Sequence, residues 1–319
     1  MNYLDLFSGI GGFRKGFEEA GFEFEWEGHS EIDKSANAVY AKHFPKSKSL
    51  GDICGIDPTK LPKIDLVSFG FPCQDLSVSG KQRGLCGERS GLFFEAMRII
   101  QVIRPSIFIF ENVKGLFSSQ EGRDFKTVLQ EISKLGIYGC EWQLCNTSWF
   151  LPQNRERVYF IGHSGEGCQF KVFPLGVGYE ESNEPTQGKV MQINSNKYGT
   201  ADRVYNPKGH AVTLKAEGGG LGAKTGLYAI PVITPDRVNK RQNGRRFKED
   251  GDPAFTLTAQ DIHGVYTNKG IRRLLPIECE RLQGFPDKWT EGFSDSVRYR
   301  MLGNAVSVPV VKAIAERLK

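Results

Sequence analysis

A cysteine stands directly behind a proline in the stretch "GFPCQDLSVSG", Gly70 to Gly80, just after the apolar run "IDLVSF". Loop packing gives no reason for a thiol at this place, so Cys73 is read first for its chemistry: ionised, it is a soft nucleophile able to add covalently to an electrophilic atom. The chain has seven cysteines, an odd set with no C-x-x-C pair, which argues against a disulfide framework and against a zinc knuckle. Most of them read as small buried fillers. Cys73 is therefore judged by its neighbours.

Those neighbours carry charge at the ends of apolar runs. "IFIFENV" places Glu111 immediately after a strand-like stretch, and "LPQNRERVYFIG" places Arg155 and Arg157 two apart before another, where alternation would aim both at one face. "DLFSGIGGF" turns from a strand end through Gly9, Gly11 and Gly12 into a helix, so that backbone amides can approach an anionic or adenosyl ligand. Arg14 occupies the third glycine position of G-x-G-x-x-G, which counts against a dinucleotide and leaves an ordinary tight turn as the alternative. Glu31 in "HSEID" lies about 20 residues downstream, where such folds carry a ribose-binding carboxylate. Asp52 and Ile53 in "GDI" offer one polar and one apolar contact to an adenine. Taken singly, each is also compatible with a solvated acid or a structural salt bridge. Together they would place a thiol, an acid, two arginines and a glycine turn on one edge of one sheet.

The elements that must position them alternate through the first half. Apolar runs such as "YLDLF", "IDLVSF", "SIFIFENV" and "RVYFIGH" take turns with amphipathic stretches such as "GFRKGFEEAG", "GLFFEAMRIIQVI" and "DFKTVLQEISKLG". This rhythm predicts an α/β fold, a mostly parallel sheet with helices on both faces, whose ligands bind at the carboxyl ends of the strands. After about Gly165 the rhythm stops and the chain turns rich in Gly, Asn, Thr, Lys and Arg. That composition predicts a smaller β- and loop-rich domain. Inside it "RVYNPKGHAVTLKAE…GLYAI" and "GRRFKEDGDPAFTLTAQ…HGVYT" echo each other and read as two similar β-hairpin units. Helical patterning returns in "RRLLPIECERLQGFPDKW" and "RMLGNAVSVPVVKAIAERLK", and the last amphipathic helix needs an apolar surface belonging to the first domain. The expected division is residues 1–185 with 291–319, residues 186–271, and a hinge region at 272–290.

Charge follows the same division. The 319 residues carry a net +5, yet the 13 Lys and Arg against 7 Asp and Glu between Thr186 and Ile271 give that span +6 and leave the rest at −1. Basic charge concentrated in one segment is the footprint expected of a nucleic-acid partner. The start "MNYLDLF" has no charged leader, and no run approaches the ~20 apolar residues that span a bilayer. A cytoplasmic protein without membrane contact is expected.

In this order the motifs resemble the DNA (cytosine-5) methyltransferases of bacterial restriction-modification systems: "DLFSGIGGF", "SEID", "GDI", "GFPCQ", "GLFFE", "ENV", "QNRERVYFIG", a variable basic region, "RRLLPIECERLQGFPD" and "GNAVSVPV". The resemblance implies a Rossmann-like domain dependent on S-adenosylmethionine, with no metal, and a target-recognition domain acting on double-stranded DNA. It implies a DNA (cytosine-5-)-methyltransferase acting as a monomer, with a cognate restriction endonuclease working separately. Cys73 would add to carbon 6 of a flipped-out cytosine, Glu111 would hydrogen-bond ring nitrogen 3 and the exocyclic amine, and Arg155 and Arg157 would contact the base and adjoining backbone. The cofactor would be held by Phe7, Gly9 and Gly11 at the first turn, Glu31 and Ile32, Asp52 and Ile53, Pro72, Leu92 and Asn304. DNA would be contacted by Gln74, by Ser79 filling part of the vacated stack, and by Thr200, Arg203, Arg245 and Arg246. The first unit of the basic segment is similar to the recognition domain of the family's GCGC-methylating member, but Thr200 stands where that member has a glutamine and the second unit has no counterpart there. Two other readings remain: a transfer-RNA cytosine-5 methyltransferase on the same fold, and a catalytically inactive DNA-binding homologue.

Overall fold

The computed structural model describes residues 1–71, 91–136, 138–164, 171–176, 204–205, 227–228, 230–233, 247–248, 252–259, 263–267 and 270–319. The chain forms two compact units, the first comprising Met1–Asn146, Glu156–Leu175 and Ala305–Lys319, the second Thr147–Arg155 and Gly176–Asn304.

In the first unit, β1 (Asn2–Leu6), β2 (Trp26–Ser30), β3 (Lys48–Ser49), β4 (Leu66–Phe69), β5 (Ile107–Val113), β6 (Tyr138–Asn146) and β7 (Glu156–Ser164) form one sheet in the order β3-β2-β1-β4-β5-β7-β6. The pairs from β3 to β5 are parallel, while β7 runs antiparallel to both β5 and β6. The order reverses between β1 and β4, which makes the carboxyl edge there the crevice for a ligand. Register aligns the ends of β1, β2 and β4: Leu6 is opposite both Ser30 and Phe69, and Phe69 is opposite Phe110. Phe7, Glu31, Gly70 and Glu111 each follow one of these aligned residues. β5 continues beyond its neighbour β4 to Val113 because β7 pairs with it there, so Glu111 lies within the strand and not after it as the apolar run suggested.

Alternation explains the layers. Leu4, Leu6, Val67, Phe69, Phe108, Phe110, Val158 and Phe160 pack with buried residues of α3 (Leu92–Ile103) and α4 (Arg123–Lys134). Phe110 stacks between Phe69 and Phe160, with ring centroids 4.7 and 4.5 Å away. The residues between them point the other way, where Tyr3 meets Phe17 of α1 (Gly12–Glu19) at 5.5 Å. Helix α2 (Lys34–His43) is started by Asp33, whose carboxylate accepts from the amides of Ser35 and Ala36. The final amphipathic helix, α7 (Val308–Glu316), packs against α1.

The second unit contains the parallel pair β8 (Val204–Tyr205) and β9 (Leu227–Tyr228), and a three-stranded antiparallel sheet of β10 (Ile230–Ile233), β11 (His263–Thr267) and β12 (Gly270–Arg273). Helices α5 (Pro276–Gln283) and α6 (Asp295–Asn304) follow. The described ends of the first echoing unit pair parallel, and its "TL" stretch lies outside the described residues. No helix among the described residues is long and apolar enough to cross a membrane.

Candidate active site

The glycine turn grows directly out of β1. Phe7, Gly9 and Gly11 all have positive φ, at 53°, 55° and 86°, so the chain coils tightly before α1 begins. A Cβ on Gly11 would lie 2.5 Å from Phe44 Cε2, whereas one on Gly9 would meet open space. Gly11 closes the turn against the protein, and Gly9 leaves the backbone accessible. Arg14, at the place of a third glycine, is instead engaged with Glu27 of β2 at 2.6 Å.

Glu31 is fixed by the same turn. Its Oε2 accepts from the Gly9 amide at 2.8 Å and its Oε1 from the Asp33 amide at 2.7 Å, while burial raises its carboxyl above the usual range. Ile32 beside it is 71% exposed, an apolar side chain without cover. Asp52 caps the short 3-10 turn Ile53–Gly55 through the Cys54 amide, at 3.0 Å, and Ile53 is buried in the core. Leu92 opens α3, and Asn304 closes α6 in the second unit, where it is exposed. Open space at Gly9, the uncovered Ile32 and a buried Ser8 hydroxyl with no partner among the described residues fit a turn with room for an adenosyl ligand. Among the described residues no cluster of three or more His, Cys, Asp or Glu is placed to hold a metal ion.

The acid and one arginine meet across antiparallel strands. β5 and β7 pair Glu111 with Tyr159 and Val113 with Arg157, and Arg157 Nε reaches Glu111 Oε1 at 2.9 Å. Glu111 is 9% exposed. Its Oε2 lies 3.8 Å from where a Cβ on Gly70 would stand, so the acid sits beside the backbone that leads into Pro72 and Cys73. Pro72, Cys73, Gln74, Ser79, Thr200, Arg203, Arg245 and Arg246 lie outside the described residues.

Arg155 departs from the expected alternation. It precedes β7, is 2% exposed, and donates to the Leu257 carbonyl at 2.9 Å and to the Gly303 carbonyl at 3.4 Å. Alternation holds only where both residues belong to one strand. Gln153 extends this buried polar set, donating to the Leu282 carbonyl at 2.6 Å and accepting from the Leu257 amide at 3.0 Å.

The sequence model of the C-5 cytosine-specific DNA methylases matches residues 1–319. The chain belongs to this family. The type II methyltransferase M.NlaX of Neisseria lactamica is 33% identical, with 99% of this chain and 95% of that protein aligned. The orphan methyltransferase M.SPRI of Bacillus phage SPR is 30% identical over 100% of this chain and 97% of its own. Two solved structures share the fold: the Entamoeba histolytica methyltransferase EhMeth, with TM-score 0.62 and 20% identity over 100% and 97% of the two chains, and Spodoptera frugiperda DNMT2, with TM-score 0.61 and 16% identity over 99% of each. This C-5 cytosine-specific DNA methylase acts on DNA, and neither the transfer-RNA reading nor the inactive one is favoured by the match.

One buried group of the methylase escaped the reading for chemistry. Asp5, fully buried on β1 beneath the turn, accepts from Ser68 Oγ at 2.8 Å, and that hydroxyl also meets the Tyr3 phenol at 2.5 Å. Burial pushes the Asp5 carboxyl up to about 7. The only signal in the sequence was a charged residue inside the apolar run "YLDLF".

Proposed function

We propose that this methylase transfers a methyl group to carbon 5 of a flipped-out cytosine in a specific short duplex DNA sequence, as a DNA (cytosine-5-)-methyltransferase of restriction-modification type. The observation that carries the reading is the Glu111–Arg157 pair, set at the register position next to Gly70 and hence to the "PCQ" loop.

Carbon 5 of cytosine is a poor nucleophile, so the ring must first be activated. Cys73, as thiolate, adds to carbon 6 and pushes the electron pair toward carbon 5. Glu111 hydrogen-bonds nitrogen 3 and the exocyclic amine, offsetting charge as the thiolate adds. Arg157 fixes the Glu111 rotamer, and Arg155 and Arg157 give the neighbourhood a positive field that favours the thiolate. Phe7, Gly9, Gly11, Glu31, Ile32, Asp52, Ile53, Pro72, Leu92 and Asn304 hold S-adenosylmethionine, which when bound supplies an electrophilic methyl group. Loss of the carbon 5 proton returns the electron pair to the ring and expels Cys73. The basic segment reads the target through Arg203, Arg245 and Arg246, while Gln74, Ser79 and Thr200 contact the opened duplex.

The test is covalent capture. Duplex DNA carrying 5-fluorocytosine lacks a removable proton at carbon 5, so it is expected to trap a denaturation-resistant adduct with S-adenosylmethionine present, and Cys73→Ala is expected to abolish it. An adduct of undiminished yield in that variant would overturn the assignment. Sizing on and off DNA tests the monomer. The relatives include both type II and orphan methyltransferases, so an endonuclease gene beside that of this chain is the observation that would support a cognate partner.

A further inference from the structure

Helix α3 carries Glu95 and Arg98 three residues apart, a spacing that makes them neighbours on the helix surface. Arg98 Nε donates to Glu95 Oε2 at 2.8 Å, which orients the guanidinium. The fork then reaches out of the helix, with Nη1 and Nη2 each donating to the Ile56 carbonyl at 3.2 Å and Nη2 to the Ile53 carbonyl at 3.4 Å. Ile53 and Ile56 bracket the 3-10 turn that Asp52 caps at its other end. So short a turn has few internal hydrogen bonds to hold it. Its front is tied by Ser30 Oγ donating to the Gly51 carbonyl at 2.7 Å, and its back by Arg98. The Ile53 and Ile56 side chains anchor in the core.

We infer that Arg98 is a positioning residue for the adenine side of the cofactor site: its guanidinium fork fixes the turn from which Asp52 and Ile53 present their polar and apolar contacts. The inference rests on the reading of residues 52 and 53 as adenine contacts. A planar fork can take two carbonyls at once, whereas an ammonium is a single point charge. Lysine therefore replaces Arg98 only in part.

The experiment uses the full-length protein and two probes, S-adenosylhomocysteine and S-inosylhomocysteine, titrated calorimetrically into wild type, Arg98→Met and Arg98→Lys. Wild type is expected to prefer the adenosyl compound, because the inosyl one lacks the exocyclic amine that Asp52 would accept. Arg98→Met is expected to weaken adenosyl binding roughly 3- to 30-fold, to weaken inosyl binding less, and so to narrow the preference. Arg98→Lys should fall between the two, and it carries the test if the methionine variant does not fold. In turnover, the KM for S-adenosylmethionine should rise while kcat at saturating cofactor and the KM for DNA hold. Hydrogen exchange of the free protein should accelerate at Cys54 to Ile56. Unchanged affinities in both variants, or equal losses for the two probes, would overturn the positioning role. A wild type that binds neither probe would remove the cofactor reading and this inference with it, whereas a wild type that binds both equally would overturn the assignment of the turn to adenine, and with it this inference, while the cofactor reading stands.

Discussion

Glu111 and Asp5 are both buried carboxyl groups within one sheet, yet their surroundings give them different work. Glu111 has a guanidinium at 2.9 Å on one oxygen, and its other oxygen lies 3.8 Å from where a Cβ on Gly70 would stand. If it assists addition at nitrogen 3, Glu111→Gln, which keeps the shape and removes the proton exchange, should slow single-turnover methyl transfer by roughly 10²–10⁴-fold. Filter binding of DNA and calorimetry of the cofactor should change little, and a near-normal rate would make Glu111 structural. Asp5 instead is desolvated, which pushes its carboxyl up to about 7 against the smaller opposing effects of the Ser68, Tyr3 and Tyr40 hydroxyls and the Arg14 charge. The folded state therefore holds a proton that the unfolded chain gives up near pH 4. Its stability contribution is present below pH 4 and is lost as pH rises toward 7. Thermal melts across that window should show Asp5→Asn gaining on the wild type as pH rises, and parallel curves would mean that Asp5 carries no such proton.

At the scale of elements, the glycine turn and the phenylalanine stack make separate contributions. Gly11 has φ at 86° and Phe44 where a Cβ would go. Gly11→Ala should therefore meet left-handed strain of about 1–2 kcal/mol together with overpacking of about 1–3 kcal/mol, visible as a lower urea midpoint and weaker cofactor binding. Phe110 sits between two rings in the sheet centre, one residue before Glu111. Phe110→Ala should cost about 3–5 kcal/mol, enough to consume much of a typical domain's stability. If denaturant melts showed less than about 1 kcal/mol, a site able to collapse would have replaced the expected cavity.

For the whole molecule, chemistry and target choice are assigned to different stretches of chain. An arginine bidentate to guanine discriminates by about 1–3 kcal/mol, whereas one on phosphate weakens all sites alike. Arg203→Ala should therefore relax or abolish target choice, and deleting the second unit around Arg245 and Arg246 should change which bases flank the methylated cytosine. Bisulfite sequencing of DNA from expressing cells reads both, and a pattern unchanged from wild type in both variants would leave the basic segment without a reading role. The amino-acid sequence by itself determined the class of sheet, the turn after the first strand, and through the order of its motifs the family. Those features are local: alternation reports which faces are buried, glycines report where the backbone must coil, and both act within a few residues. Only the tertiary structure decided that β7 runs antiparallel beside β5 and so brings Arg157 to Glu111, that Arg155 turns instead to the carbonyls of Leu257 and Gly303, and that Arg98 reaches the turn after Asp52. Each of these depends on register between segments far apart in the chain, where the partner of a charged side chain is set by which strands lie side by side and in which direction.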